Sequence, residues 1–92
     1  MTEAPAHTAT HPGEILREDV LPTLGMSKSE MAATLGISRR MLRDILNEAR
    51  SITPELALQL EGVCGSTAET WLALQQSYDL QRARERKRRE PA

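Results

Sequence analysis

The stretch Ser27-Lys28-Ser29-Glu30-Met31-Ala32-Ala33-Thr34-Leu35-Gly36-Ile37-Ser38-Arg39-Arg40-Met41-Leu42-Arg43-Asp44-Ile45-Leu46-Asn47 decides how the chain is read. Ser27 and Glu30 stand at the spacing of a capping box, in which the serine oxygen accepts a backbone N–H and the glutamate reaches back. A helix is therefore expected to open here. Met31, Ala32 and Leu35 follow at helical spacing, and Gly36 is placed to end the helix in a left-handed conformation that other residues reach at a cost of about 1 kcal/mol or more. Ser38 then caps the next helix. In it Met41, Leu42, Ile45 and Leu46 recur at the i, i+3, i+4 spacing of one buried stripe, leaving Arg39, Arg40, Arg43, Asp44 and Asn47 on the opposite face. The pattern describes two short helices around a glycine turn, apolar behind and mostly cationic in front.

Such a pair has a physical logic. Ala32 is small where two helices must approach closely, Gly36 makes the sharp turn, and Ile37, Leu42 and Ile45 hold the pair at a fixed angle. A rigid pair of this kind can insert its second helix into the major groove of DNA while the first crosses the backbone. On that reading Ser38, Arg39, Arg40, Arg43 and Asn47 face base edges, where arginine is the commonest specific reader of guanine. Lys28, Ser29, Arg50 and Thr53 fall at flanking helix ends, where they would meet phosphates and set register without reading sequence. The same pattern also fits a plain packing unit with a solvated arginine face. Asp44 on that face counts against DNA unless it orients Arg40 or accepts from a cytosine amino group.

Outward from this centre the pattern stays helical. Residues 1–10 are rich in Ala, Thr and Pro and read as a flexible N-terminal arm. A first helix is expected from Pro12, a residue suited to the first helical position, with His11 as its cap, Glu14 in its first turn and Pro22 at its end. Thr53-Pro54-Glu55 is another cap, opening a fourth helix that carries Leu56, Ala57, Leu60 and Val63 inward and ends near Gly65. Ser66 to Glu69 has the form of a second capping box, opening a fifth helix with Trp71, Leu72, Leu74 and Tyr78. From Gln81 the apolar stripe stops. Residues 82–92 form a basic tail, read as a fraying helical extension or as disorder. The expected organisation is one all-α, five-helix domain over residues 11–81 between arm and tail.

Composition bounds the function. Ninety-two residues leave no room for a second independent core. There is no Phe, and Val20 and Val63 are the only valines, so strand-forming runs are absent. Twelve Lys and Arg against thirteen Asp and Glu give a formal charge of −1. Its distribution is uneven, however: Lys28, Arg39, Arg40, Arg43 and Arg50 are the cations between residues 28 and 50, whereas residues 51–80 carry only the acids Glu55, Glu61, Glu69 and Asp79. The lone Cys64 cannot form an intrachain disulfide, and His7 and His11 lack ligand-spaced partners, so neither a metal nor another cofactor is expected. No apolar run approaches the roughly 20 residues needed to span a bilayer, and the N-terminus lacks a signal-peptide pattern. Cytoplasmic residence is the expectation. Nothing clusters a Ser/His/Asp set, and an enzyme is not expected.

His11-Pro12-Gly13-Glu14-Ile15-Leu16, the Ala32 to Arg39 turn, Ile52-Thr53-Pro54-Glu55 with Ala57-Leu58, and Trp71-Leu72, Leu74-Gln75 and Tyr78-Asp79-Leu80, in that order and spacing, resemble the HigA-type antitoxins of bacterial toxin–antitoxin pairs. These belong to the phage-repressor-like helix-turn-helix group. The resemblance runs from about His11 to Leu80. It implies a five-helix fold, a homodimer, operator binding that represses the protein's own operon, and neutralisation of a small basic mRNA-cleaving toxin of the HigB or RelE kind. The alternative it leaves is a stand-alone repressor without a toxin. Glu48 departs from the pattern, standing where a glycine often follows the recognition-helix asparagine, as do Thr70 and Ala73 around Trp71. A dimer also has a motive in the residues, because about seventy ordered residues give a marginal core. Trp71, Leu74 and Tyr78 share one face of the fifth helix, as a dimer interface or as monomer core. A twofold dimer predicts a palindromic operator, with recognition helices about 34 Å apart.

Overall fold

Five helices and no strand make up residues 9–90, the part of the chain that the computed structural model describes. Residues 1–8 of the expected arm and 91–92 of the expected tail lie outside the described residues.

Helix α1 covers residues 12–24. His11 caps it, its Nδ1 accepting the Gly13 N–H at 2.8 Å, and Pro12 takes the first position, where its missing N–H leaves nothing unpaired. The helix widens into a π turn at Leu16–Val20, where the Leu21 N–H reaches back to the Leu16 carbonyl, and then runs on through Leu21–Leu24. Pro22 thus does not end the helix, contrary to expectation. A helical proline clashes with the carbonyl four residues back, and the wider turn just before Pro22 supplies the room. The end comes at Gly25, whose φ of 65° is left-handed.

Helix α2, Lys28–Leu35, opens with the full capping box: Ser27 Oγ accepts the Glu30 N–H at 3.0 Å and Glu30 Oε1 accepts the Ser27 N–H at 2.8 Å. It closes at Gly36, φ 71°, with Ile37 N–H bonded to the Ala32 carbonyl and Gly36 N–H to the Ala33 carbonyl, the paired bonds of a Schellman end. Ser38 caps α3, Arg39–Leu46, by accepting the Met41 N–H at 3.0 Å. Thr53 caps α4, Pro54–Cys64, which ends at left-handed Gly65 as expected.

Helix α5, Ala68–Arg89, starts one residue later than the sequence suggested. Its cap is Thr67, whose Oγ1 accepts the Thr70 N–H at 3.1 Å, while Ser66 stays in the turn after Gly65. With two hydroxyl residues side by side, the left-handed Gly65 takes up the first step of the turn, and the second hydroxyl becomes the cap. Glu61 of α4 adds a partner for the first turn of α5 by accepting the Ala68 N–H at 3.3 Å. The helix crosses residue 81 without a break and continues to Arg89, so the basic segment is a helical extension over those residues.

The core gathers Leu16 and Leu21 from α1, Met31, Ala32 and Leu35 from α2, Leu42, Ile45 and Leu46 from α3, Ile52 from the loop, Leu56, Ala57 and Leu60 from α4, and Ala68 and Trp71 from α5. Burying each of the larger side chains contributes about 1.5–3 kcal/mol. Trp71 is 2% exposed, so it is core in the single chain, whereas Leu74 and Tyr78 are half-buried. The first half of α5 lies along α4, and α1 spans the end of α3 and the middle of α5. No helix among the described residues is long and apolar enough to cross a membrane.

Candidate nucleic-acid interface

Of the stripe that the sequence assigned to the back of α3, Leu42, Ile45 and Leu46 are at most 2% exposed and Met41 is half-buried against the core. Rotation about the helix axis is thereby fixed, and Ser38, Arg39, Arg40, Arg43 and Asn47 all emerge on the solvent side. Arg40 and Arg43 have no carboxylate partner among the described residues. Their guanidinium groups are free to make bidentate contacts with a ligand.

Two of the expected base-side and phosphate-side residues meet directly. Arg39 Nη1 donates to Ser29 Oγ at 2.9 Å, joining the start of α3 to the first turn of α2. Lys28 stands exposed beside Ser29. At the far end of α3, Asp44 pairs with Arg50 at 3.8 Å rather than with Arg40, so it orients a residue of the following loop and leaves the front face. Thr53, exposed at the start of α4, is committed to its cap through an acceptor oxygen, and its hydroxyl hydrogen remains available. All nine residues are exposed, at two helix starts, on α3 itself and in the loop behind it.

That loop is held by residues the sequence reading did not single out for the site. Arg17 of α1 donates to the Leu46 carbonyl at 2.6 Å and lies 3.6 Å from the Glu48 carboxylate. Gln75 of α5 is buried, accepts the Ile52 N–H at 3.0 Å and donates to Asp79 at 3.0 Å. A buried amide with both ends engaged fixes the backbone that carries Arg50 and Thr53. His11 is also buried, edge-on to the Tyr78 ring at 4.8 Å. Burial lowers its pKa below the usual 6.5, although the charges of Glu48 and Asp79 and a hydrogen bond with the Arg50 backbone pull the other way. The imidazole therefore favours its neutral form and pins the arm side of α1 to the loop. A polar residue inside an amphipathic pattern was the only sequence signal for Arg17 and Gln75, and His11 was expected only as the cap of α1.

Glu48 resolves the departure noted in the sequence. Its φ is +63°, left-handed, with Glu48 N–H bonded to the Ile45 carbonyl and Ala49 N–H to the Asp44 carbonyl. The end of α3 is the same Schellman arrangement that glycine serves at residue 36, made here by a side-chain-bearing residue at a conformational cost. Cys64 is half-buried and its thiol pKa is pushed up by burial, which leaves it a small hydrophobe rather than a reactive thiolate.

Comparison with known proteins agrees with this geometry. The helix-turn-helix family matches residues 16–72. Virulence-associated protein I of Dichelobacter nodosus is 42% identical over 79 residues, 86% of this chain and 73% of that protein. Among solved structures, the antitoxin GraA superposes with a TM-score of 0.82 at 34% identity, covering 88% of this chain and 87% of that one. The Pseudomonas aeruginosa antitoxin HigA, solved with the higBA promoter, gives a TM-score of 0.76 at 35% identity and covers 82% of each chain. By fold, by the helix pair at residues 28–46 and by these likenesses, the chain belongs to the helix-turn-helix family, among its HigA-type antitoxins.

Proposed function

We propose that this chain is an antitoxin and autorepressor: a homodimer that binds a palindromic operator to repress its own operon, and that neutralises a cognate small basic mRNA-cleaving toxin of the HigB or RelE kind. The DNA half is carried by one observation. Leu42, Ile45 and Leu46 at the back of α3 are buried to 2% exposure or less, while Arg39, Arg40 and Arg43 in front remain exposed and unengaged by any carboxylate among the described residues. Desolvating three guanidinium groups without a partner would be costly, so an internal packing role would have supplied acids. Ser38, Arg39, Arg40, Arg43 and Asn47 read base edges; Lys28, Ser29, Arg50 and Thr53 hold phosphates. The toxin half is supported by the likeness to HigA and GraA. In the dimer, Leu74 serves as the contact of α5, while Trp71 is core and Tyr78 packs inward on His11. Two recognition helices then lie about 34 Å apart, one turn of DNA. The protein acts in the cytoplasm, where its operon is transcribed, and no cofactor takes part.

The test is a gel-shift titration at fixed salt on duplex DNA from upstream of the gene. Arg39→Ala and Arg43→Ala are each expected to weaken binding by about 1–3 kcal/mol, roughly 5- to 150-fold, with helicity unchanged. Unaltered affinity removes these residues from the reading role. Copurification with the product of an adjacent short reading frame tests the toxin half, and the absence of such a frame leaves a stand-alone repressor.

A further inference from the structure

Half of the chain's Lys and Arg residues, six of twelve, lie between Arg82 and Arg89, against the two acids Glu85 and Glu90. The helix-turn-helix match ends at residue 72 and does not account for them. These residues are helical and all six cations are exposed. None is ion-paired among the described residues; Glu85 accepts instead from Gln81, and Arg82 donates to the Tyr78 hydroxyl at 3.0 Å. Like charges four apart, such as Arg82 with Arg86 and Arg84 with Arg88, each destabilise a helix by a few tenths of a kcal/mol. Opposite pairs such as Glu85 with Arg89 and Arg86 with Glu90 offset these by similar amounts, so the segment stays helical while presenting six exposed cations.

The cations fall on two faces. Residues 71, 75, 78, 82, 86 and 89 follow one another at helical spacing of three, four or seven, so Arg82, Arg86 and Arg89 prolong the stripe that Trp71, Gln75 and Tyr78 turn toward the domain. Arg84, Lys87 and Arg88 point away. Where the core stops, Arg82 and Arg86 line an open groove with Tyr78, Asp79, Glu48 and Ser51, and the last two belong to the loop directly behind α3. The two carboxylates there are engaged, Glu48 by Arg17 and Asp79 by Gln75. A row of guanidinium groups thus begins beside Ser51 of the phosphate-holding loop and runs outward for about 10 Å, the rise of the seven residues from Arg82 to Arg89, which is about three nucleotides of DNA at an axial rise of about 3.4 Å each.

The geometry points to a second DNA-contacting element: the Arg82, Arg86 and Arg89 row of α5 grips backbone phosphates of the DNA that α3 reads, adding affinity without adding sequence information. This rests on the DNA-binding reading above.

The experiment uses the full chain and two charge-matched triple variants, R82Q/R86Q/R89Q on the inner row and R84Q/K87Q/R88Q on the outer, with R39A/R43A as reference. Affinity is measured from about 50 to 200 mM salt on the upstream duplex and on a scrambled duplex of equal length. Each lost phosphate contact reduces the salt slope by about 0.9. The inner-row variant is expected to lose about 2 to 3 units of slope on both duplexes, so that the wild-type advantage shrinks about fortyfold across that range for three contacts. The outer-row variant should lose less than one. If R39A/R43A weakens binding but the inner-row slope equals the wild type, the extension is not a DNA contact although the helix-turn-helix is. Equal losses for both rows overturn the assignment to one face. A changed oligomeric mass with an unchanged slope means the row docks on an acidic protein surface instead. Failure of the wild-type chain to bind either duplex removes both readings together.

Discussion

Gly13→Ala tests how α1 is seated on the end of the recognition helix. A Cβ built at Gly13 falls 1.9 Å from the Ile45 carbonyl oxygen, 2.9 Å from the Ile45 carbonyl carbon and 3.1 Å from His11 Nδ1. Even a close C–H···O contact needs about 3.3 Å, so α1 must retreat by roughly 1.4 Å or α3 must give way. The two nearest atoms, Ile45 O and C, are backbone, and a Cβ has no rotamer that would move it away from them. Overpacking of this kind costs about 3 kcal/mol, the upper part of the usual range. Alanine recovers at most about 1 kcal/mol through its better helix propensity. The balance is a destabilisation of about 2 kcal/mol, or about 8–16 °C in Tm for a domain of this size. The sign is the test: propensity alone makes Gly13→Ala stabilising, whereas the seating of α1 against Ile45 makes it strongly destabilising. Thermal unfolding followed by far-UV circular dichroism decides it, and a Tm equal to or above the wild type would refute the close backbone approach.

Glu48 and His11 offer two further checks. Because Glu48 holds a φ of +63°, Glu48→Gly should be more stable than Glu48→Ala by about 1 kcal/mol, roughly 4–8 °C; both variants lose the contact with Arg17, so the comparison isolates the backbone. Equal melting temperatures would mean the left-handed end of α3 is not retained. For His11, burial sets the folded pKa below the unfolded 6.5, so the unfolded chain binds more protons between the two values. The stability from the neutral ring is complete above about pH 6.5 and is lost as pH falls through the folded value. Protonation also ends the cap, since Nδ1 then carries a hydrogen facing the Gly13 N–H. Denaturant unfolding at several pH values should show a steeper decline for the wild type than for His11→Asn, which retains a capping oxygen without a titrating ring. Parallel declines would assign the pH dependence to the carboxylates.

Local rules carried much of the architecture. Ser27, Ser38 and Thr53 mark helix starts, and Gly36 and Gly65 sit where the chain turns left-handed, because caps and turns depend on neighbours within four residues. The α3 stripe of Leu42, Ile45 and Leu46 likewise followed from periodicity, and it determined which arginines face outward. The candidate set of Lys28, Ser29, Ser38, Arg39, Arg40, Arg43, Asn47, Arg50 and Thr53 could be named on that basis.

What depended on tertiary packing were the contacts between distant residues and the competition between adjacent caps. Whether Pro22 or Gly25 stopped α1 turned on a widened turn that no sequence rule signals. Thr67 prevailed over Ser66 once Gly65 had taken the first step of the turn, and Asp44 chose Arg50 over Arg40 because the loop brings that guanidinium to it. Trp71 became core because α5 packs on α4, and Gln75, Arg17 and His11 became supports of the loop because α5 and α1 converge there. Periodicity says which side of a helix is apolar, but the partner it meets, and the backbone polar groups it must satisfy, exist only after the helices have come together.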